Sequence, residues 1–533
     1  MTRMALLLVA SAVATAPSIV DLQPFRRVNT AHGATLTNLN PAVNAWFLLT
    51  AGNMTWHLEN PKPRWQQVSL DEKSGMLLVN GASCELTLEE GRKSAQIYYP
   101  LCGGRLYLRN PAKGERTALE SAAEFLRTQV WGGEKVIILF HHLLSDRYRE
   151  TGELKNGGAG DAGTGGPAAA LISSAAARQL LKPVNLGITP ESADVDKNGM
   201  TPGAWYRAAG SPGVFLSVLQ PNLIAPEILA SYRDRVSALD AREGSALVYL
   251  IAFDLDRYEL GFALGTAFPG VAWSDHMLPQ MKDPRMPGPD GIASIAPLVS
   301  TGLISPQNAR RTVATFTGGF KRTHGAFRFG DLALVNHGSH YGFMENGVAF
   351  SRLQPGLATV LMFEDGSADM KTWNESDNAL LPRVRHARQN GVPIIEDGVP
   401  GKLVAKWGPG NWSGSEDEKL RTIRAGMALG VRGGRRWLLY AVFSDATPSA
   451  MARAFQAYQV NYALLTDMNA LEHTYLALYR RSGGEMAVDH LISGMSVLDK
   501  TDARGEGGAV IPRFLGYPDN RDFFYVMTKE ARP

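Results

Sequence analysis

Residues 421–479, RTIRAGMALGVRGGRRWLLYAVFSDATPSAMARAFQAYQVNYALLTDMNALEHTYLALY, constrain the fold more than any other stretch of the chain. Gly433-Gly434 separates two apolar runs, 425–431 and 436–443, and suits a tight hairpin turn. Thr447 then offers a capping hydroxyl, and Pro448 fills a first helical position. Met451, Ala454, Phe455 and Tyr458 recur at helical spacing, which predicts a helix laying one face on a sheet. Residues 462–466 have the look of a short buried strand. At its end stand Asp467, Met468, Asn469, Glu472, His473 and Thr474. Polar groups bunched where a buried strand stops fit a site on an α+β or α/β scaffold. A solvated turn capped by Asp467 fits them equally well.

The outer bounds are ordinary. A chain of 533 residues has room for two or three domains and a sizeable core. Hydrophobic content of 45% with 20% charged residues excludes wholesale disorder. A net charge of +3, with no basic stripe interleaved with aromatics, excludes nucleic acid as a partner. Residues 1–20 carry one early cation, Arg3, then an apolar run with small residues at 12, 14 and 16, as in a secretory signal. Pro17 makes cutting after Ala16 awkward, so cleavage after Ala14 and retention as a membrane anchor both stand. The run is short for a stable transmembrane helix, which needs roughly 20 apolar residues. A buried N-terminal helix in a cytosolic protein is the third reading; export is the expectation. Cys84 and Cys102 are the only cysteines, and strand-like segments flank them. In an oxidising compartment a bridge between them would contribute about 3 kcal/mol. A disulfide is expected in preference to two buried thiols.

Taken in order, 21–155 reads as an N-terminal α+β unit, with short strands over 56–109 and a capping-box spacing, Thr117 to Glu120, opening a helix over 117–128. His141 and His142 are adjacent, point apart on a helix and read as packing or surface residues. The Gly-rich stretch 156–170 is a flexible linker and sets a domain boundary. Residues 194–199 copy the opening of a calcium loop, but Trp205 stands where a bidentate Glu is required, which leaves an Asx-rich turn. Residues 171–533 form the second domain, with a core over about 245–480. Within it, 246–265 reads as a two-strand meander and 312–320 as a strand ending in Gly318-Gly319. Such a pair can present amide donors to an anion, and Lys321, Arg322 and His324 follow at once, which makes a phosphate pocket. A plain tight turn is the bland alternative. Asn346-Gly347 and Asp365-Gly366 are hairpin dipeptides, and the turn-rich loop after Trp407 holds Trp412, an aromatic of the kind that stacks on sugars. The fold class expected is α+β, a mixed β-sheet with flanking helices in the C-terminal domain, preceded by a smaller strand-rich N-terminal unit.

The order of TFTGGF (315–320), the two hairpin dipeptides, IIEDG (394–398), RAGMALGV (424–431) and ALLTDMNALEHT (463–474) resembles the phosphodiester glycosidase family. The resemblance covers roughly 245–480. The family has Asn-Gly-Gly-Phe-Phe where this chain has Thr317-Gly318-Gly319-Phe320-Lys321. Its Asp-Gly-Gly-Gly-Ser elbow is replaced by Asp467-Met468-Asn469-Ala470-Leu471, which keeps the aspartate and loses the glycines. The resemblance implies an exported hydrolase that cleaves a glycosyl phosphodiester in an envelope or extracellular glycan. Arg424 and the Gly318-Gly319 amides, with Lys321, Arg322 and Asn469, would hold the carbohydrate or sugar-phosphate substrate. Asp467 would be acid/base or ligand to a divalent metal ion, with His473 or His324 assisting. The alternative is an inactive envelope protein that binds an anionic glycan or a protein partner. Arg424 and Asp467 far apart in space would favour a purely structural secreted module.

Overall fold

A computed structural model describes residues 17–23, 25–117, 120–121, 148–157, 165–191, 199–267, 270–274, 277–324, 341–405, 420–501 and 509–530. The linker's middle, His141, His142, residues 194–198 and the loop holding Trp407 and Trp412 lie outside the described residues, as does nearly all of the N-terminal apolar run. No described helix is long and apolar enough to cross a membrane.

The fold is mostly β, 39% strand against 16% helix, in seven sheets whose paired strands all run antiparallel among the described residues. This corrects the expectation of a helix-flanked mixed α+β sheet. Strands Arg435–Ala446 and Tyr462–Met468 do run parallel on either side of the crossover helix Pro448–Ala457. Strand Thr422–Arg432, however, lies between them and is antiparallel to both, so no parallel ladder forms. Pro448–Ala457 is also the longest described α-helix; Leu88–Lys93 and Pro306–Arg311 have six residues each.

Local rules explain the central hairpin. Gly433 and Gly434 take φ 57° and 78°, and Arg432 pairs with Arg435, a two-residue turn that only positive φ allows. Thr447 Oγ1 accepts from the Ala450 amide at 3.2 Å to cap the helix. The small residues of Thr422–Arg432 have a packing role: a Cβ on Gly426 would meet Met451 Cε at 2.9 Å and the Phe455 ring at 3.0 Å. Glycine there lets the helix lie directly on the sheet, with Phe443 edge-on to Phe455. The opposite face of the same sheet packs on a second one through Phe316 and Tyr440, ring centroids 4.6 Å apart.

Three sheets make the main body. The eight-stranded sheet runs Tyr206–Arg207, Val214–Leu219, Val248–Asp254, Arg435–Ala446, Thr422–Arg432, Tyr462–Met468, Pro393–Glu396, Val399–Pro400. A five-stranded sheet runs Tyr258–Ala263, Phe523–Thr528, Thr312–Thr317, Leu476–Ser482, Glu485–His490. Val248–Asp254 and Tyr258–Ala263, expected to pair as a meander, therefore belong to different sheets. Strand Phe523–Thr528, from the end of the described chain, lies inside the second sheet. A further five-stranded sheet contains Val384–Gln389 and Ala358–Phe363.

Near the N-terminus, a six-stranded sheet buries Phe47, Leu49, Leu58 and Leu108 in a core of its own. Its other face joins the main core through Trp46 and Leu48. There Arg109 pairs with Glu59, stacks over Trp46 at 4.4 Å and donates to the Val299 carbonyl at 3.1 Å. Cys84 and Cys102 form a disulfide at the edge of this unit, Cα atoms 5.0 Å apart, as an oxidising compartment permits. Closing an 18-residue separation is worth about 3 kcal/mol. Cys84→Ser with Cys102→Ser therefore lowers unfolding stability by about that amount, and thiol titration of the native protein finds no free thiol. Two readily alkylated cysteines would count against the bridge.

Candidate functional site

The three main sheets converge where their strand ends meet. Thr317 pairs with Phe523, which sets Gly318 opposite Asp522, and the Gly318 amide donates to the Asp522 carbonyl at 3.0 Å. A Cβ on Gly318 would stand 2.6 Å from Asp522 Oδ2, so glycine makes room for that carboxylate. Gly319, at φ 146°, lies against the neighbouring sheet, where a Cβ would meet the Thr466 carbonyl at 2.9 Å. Asn390, just past strand Val384–Gln389, fastens the joint. Its Nδ2 donates to the Thr466 carbonyl at 2.7 Å, and its Oδ1 accepts from the Phe320 amide at 3.2 Å and from Arg388 Nη1 at 2.9 Å.

Around that joint four cations face four carboxylates, nearly all buried. Arg388 Nε binds Asp522 Oδ2 at 2.9 Å, and Arg521 Nη1 binds Asp467 Oδ2 at 2.6 Å. Glu120 Oε1 receives Arg521 Nε at 3.2 Å and Lys321 Nζ at 3.3 Å, while Arg513 Nε binds Asp519 Oδ2 at 2.8 Å. Burial pushes the Asp467 carboxyl up to about 6, against the opposing pull of Arg521 and of the Met468 amide, with Asp522 pushing it up further. Asp522 is raised too, chiefly by burial. Burial also acts on Glu120, but Arg521 and Lys321 outweigh it and hold that carboxyl well below the usual range. One oxygen of each of two acids, Asp522 Oδ1 and Glu120 Oε2, has no hydrogen-bond partner among the described residues.

His473 is neutral and its tautomer is fixed. Arginine can only donate, so Nε2, 2.9 Å from Arg521 Nη2, carries the lone pair. Nδ1 then holds the proton and donates it to the Met468 carbonyl at 2.8 Å. Burial and Arg521 both lower its pKa. Half-buried Asn469 and His473 mark where the cluster reaches the surface. Asn469 has φ 81°, a left-handed conformation that asparagine adopts more readily than most residues.

The structure thus brings together Asp467, His473, Lys321, Gly318 and Gly319, with Asn469 at the rim. Two expected members are elsewhere. Arg424 pairs with Met468 across the strands, so both side chains lie on the helix side of the sheet, and Asp467, one residue earlier, faces the other side. Its guanidinium is used by the Ala446 carbonyl at 2.7 Å, the Leu420 carbonyl at 2.8 Å and Met468 Sδ at 2.9 Å. Burial pushes its pKa down to about 9, with Glu243 and Asp445 pulling it back. Arg322 is buried in a pair with Asp290 at 2.7 Å. His324 closes a short turn, Arg322–His324, and its side chain lies outside the described residues. Of the two amides expected to form the nest, that of Gly318 is already bonded within the fold, to the Asp522 carbonyl.

Arg521, Asp522, Arg388 and Asn390 are not singled out by the sequence, and Glu120 is legible there only as a capping-box residue. The available signal was PDNRD, a polar cluster immediately before the aromatic strand Phe523–Thr528. Among the described residues no three His, Cys, Asp or Glu side chains are grouped to hold a metal ion. Asp467 and Asp522 each face an arginine, a setting that disfavours a second cation, so a divalent metal does not fit here.

No protein-family model and no curated relative matches the chain. Among solved structures it is similar to the zebrafish N-acetylglucosamine-1-phosphodiester alpha-N-acetylglucosaminidase catalytic domain, auto-inhibited by its pro-peptide. Identity there is 10% and the TM-score 0.32, over 60% of this chain and 85% of that one. It is also similar to a Burkholderia pseudomallei protein described as exported, at 10% identity and TM-score 0.24, over 53% of this chain and 74% of that one. At that distance both mark a loose likeness of shape, and any chemistry has to come from the residues themselves.

Proposed function

We propose that the protein is an exported hydrolase that cleaves a glycosyl phosphodiester, with Asp467 as its general base. The observation that carries this reading is the Asp467 carboxyl itself: buried, held at about 6, and set among cations at the end of a strand. Above pH 6 it is ionised and can take a proton from a water molecule that attacks the anomeric carbon. The carbon–oxygen bond to phosphate then breaks, and its electron pair leaves with a phosphate monoester. Lys321 and Arg521 supply fixed positive charge for that leaving group. The oxygens of Asp522 and Glu120 that lack a partner among the described residues are acceptors suited to sugar hydroxyls. The sequence motifs 315–320 and 463–474, which carry the family resemblance, meet at this joint.

A second reading, an inactive protein that binds an anionic glycan, is favoured by one observation: Arg388, Arg513 and Arg521 each already have a carboxylate partner. Incubation with methyl N-acetylglucosamine-1-phosphate and related glycosyl phosphodiesters separates the two. Release of free sugar by wild type supports the hydrolase. Saturable binding without release supports the second reading. With neither, the cluster only holds the sheets together.

A further inference from the structure

At the other end of the five-stranded sheet lies a cavity of about 580 Å3 with a different character. Asp522 precedes strand Phe523–Thr528 and Thr528 lines the cavity, so six residues, or about 20 Å, separate the two places. Five arginines line it, Arg257, Arg310, Arg311, Arg480 and Arg481, and among the described residues no acidic side chain does. Arg311 and Arg480 are held from behind by Glu259 at 2.7 Å and Asp489 at 2.7 Å. Arg481 is fixed by the carbonyls of Thr312 at 2.5 Å and Ala309 at 2.9 Å, and has no carboxylate partner among the described residues. Arg310 is exposed and makes no ion pair there. Arg257 reaches Asp254 only at 3.9 Å.

Like charges crowded into a concavity repel one another. Arg311, Arg480 and Arg257 are offset by carboxylates outside the lining, whereas Arg310 and Arg481 meet none among the described residues, so an excess of positive charge faces the cavity. A bound anion would offset it. The volume suits a compact ligand, and guanidinium forks pair bidentately with phosphate oxygens. We infer that this cavity binds a small polyanion carrying two linked phosphate groups, at a site separate from the Asp467 joint. Arg311, Arg480 and Arg481 are preorganised by their partners, while Arg257 is held only loosely by Asp254 and exposed Arg310 can close on the ligand.

Calorimetric titration of the full chain with inorganic pyrophosphate tests this. Wild type binds saturably, and its affinity falls as salt rises. Arg310→Glu weakens binding at least tenfold while leaving the melting temperature within about a degree of wild type. If Arg310→Glu does not fold, Arg257→Gln, at a side chain 60% exposed, supplies the same reading. No saturable binding to wild type, or equal affinity in the folded variant, overturns the proposal. Anionic phospholipid vesicles form a second arm. Vesicle binding that pyrophosphate does not displace would place the phosphate on a membrane and overturn the small-ligand assignment.

Discussion

Asp467→Asn makes the protein more stable at pH 8 and lowers hydrolysis of a glycosyl phosphodiester by about 10²–10⁴-fold. The two effects share one cause. Burial, opposed by Arg521 and the Met468 amide and reinforced by Asp522, raises the Asp467 pKa from an ordinary 3.8 to about 6. A carboxyl raised in the folded state contributes stability that is fully present below the unfolded value. That contribution is lost as pH rises through the folded value. Roughly two units correspond to about 3 kcal/mol lost between pH 4 and pH 8. Asparagine carries no charge and still offers Arg521 Nη1 an oxygen, while Arg521 keeps Glu120 and His473. The variant should recover part of that 3 kcal/mol at pH 8 and converge with wild type near pH 4. Wild-type kcat/KM should rise with pH through about 6, as a base must lose its proton first. Urea unfolding at pH 4 and pH 8, run beside a turnover assay, checks both halves. If Asp467→Asn is the weaker protein at pH 8, the carboxylate serves Arg521 structurally and its assignment as base fails.

What the sequence disclosed and what it hid follow from how far apart the interacting residues lie. Gly433-Gly434, Asn346-Gly347 and the Thr447-Pro448 helix start are legible because their causes are local: positive φ, a side-chain cap, a fixed proline ring. Strand Val384–Gln389 is not legible as a strand, because VRHARQ carries two arginines and a histidine. All six of its residues are nevertheless buried. Arg388 is compensated by Asp522, Arg385 by Asn346 Oδ1 at 3.3 Å, and His386 Nδ1 accepts from the Asn346 amide at 3.3 Å. Those partners are remote in sequence, so a hydrophobic pattern cannot anticipate them. The same holds for the site. Asp467 and the glycine pair announced themselves at strand ends, whereas Arg521 and Asp522 joined them only when the last strand entered the middle of a sheet. Arg424 misled for a different reason. The resemblance made it a substrate holder, but it lies on the helix side of the sheet, where Met451 and Phe455 fill the space beside Gly426.

Arg388→Met should be among the most damaging single changes in the protein, costing about 3–5 kcal/mol. It removes the guanidinium that compensates Asp522, whose carboxylate is buried beside Gly318 with its second oxygen unpartnered among the described residues. Methionine keeps much of the stem's volume near Phe343, where the guanidinium stands 4.7 Å from the ring centroid, so a cavity is not the main term. The loss is a stranded negative charge, together with the donors to the Phe320 carbonyl at 2.6 Å and to Asn390 Oδ1. Two corollaries distinguish this from simple loss of packing. The deficit should shrink as pH falls, because protonating Asp522 removes the stranded charge. Adding Asp522→Asn should recover 1 kcal/mol or more, a coupling that independent sites do not show. Arg424→Met is the control. Arg424 is as deeply buried, yet its hydrogen-bond partners are two carbonyls and a sulfur, so methionine strands no ion and should cost about 1–3 kcal/mol. A domain of this kind has only about 5–15 kcal/mol in hand, so the two variants should separate clearly in urea midpoint. Equal losses for Arg388→Met and Arg424→Met, unaffected by pH or by Asp522→Asn, would mean that charge pairing does not hold the joint, and the electrostatic account of the site would fall with it.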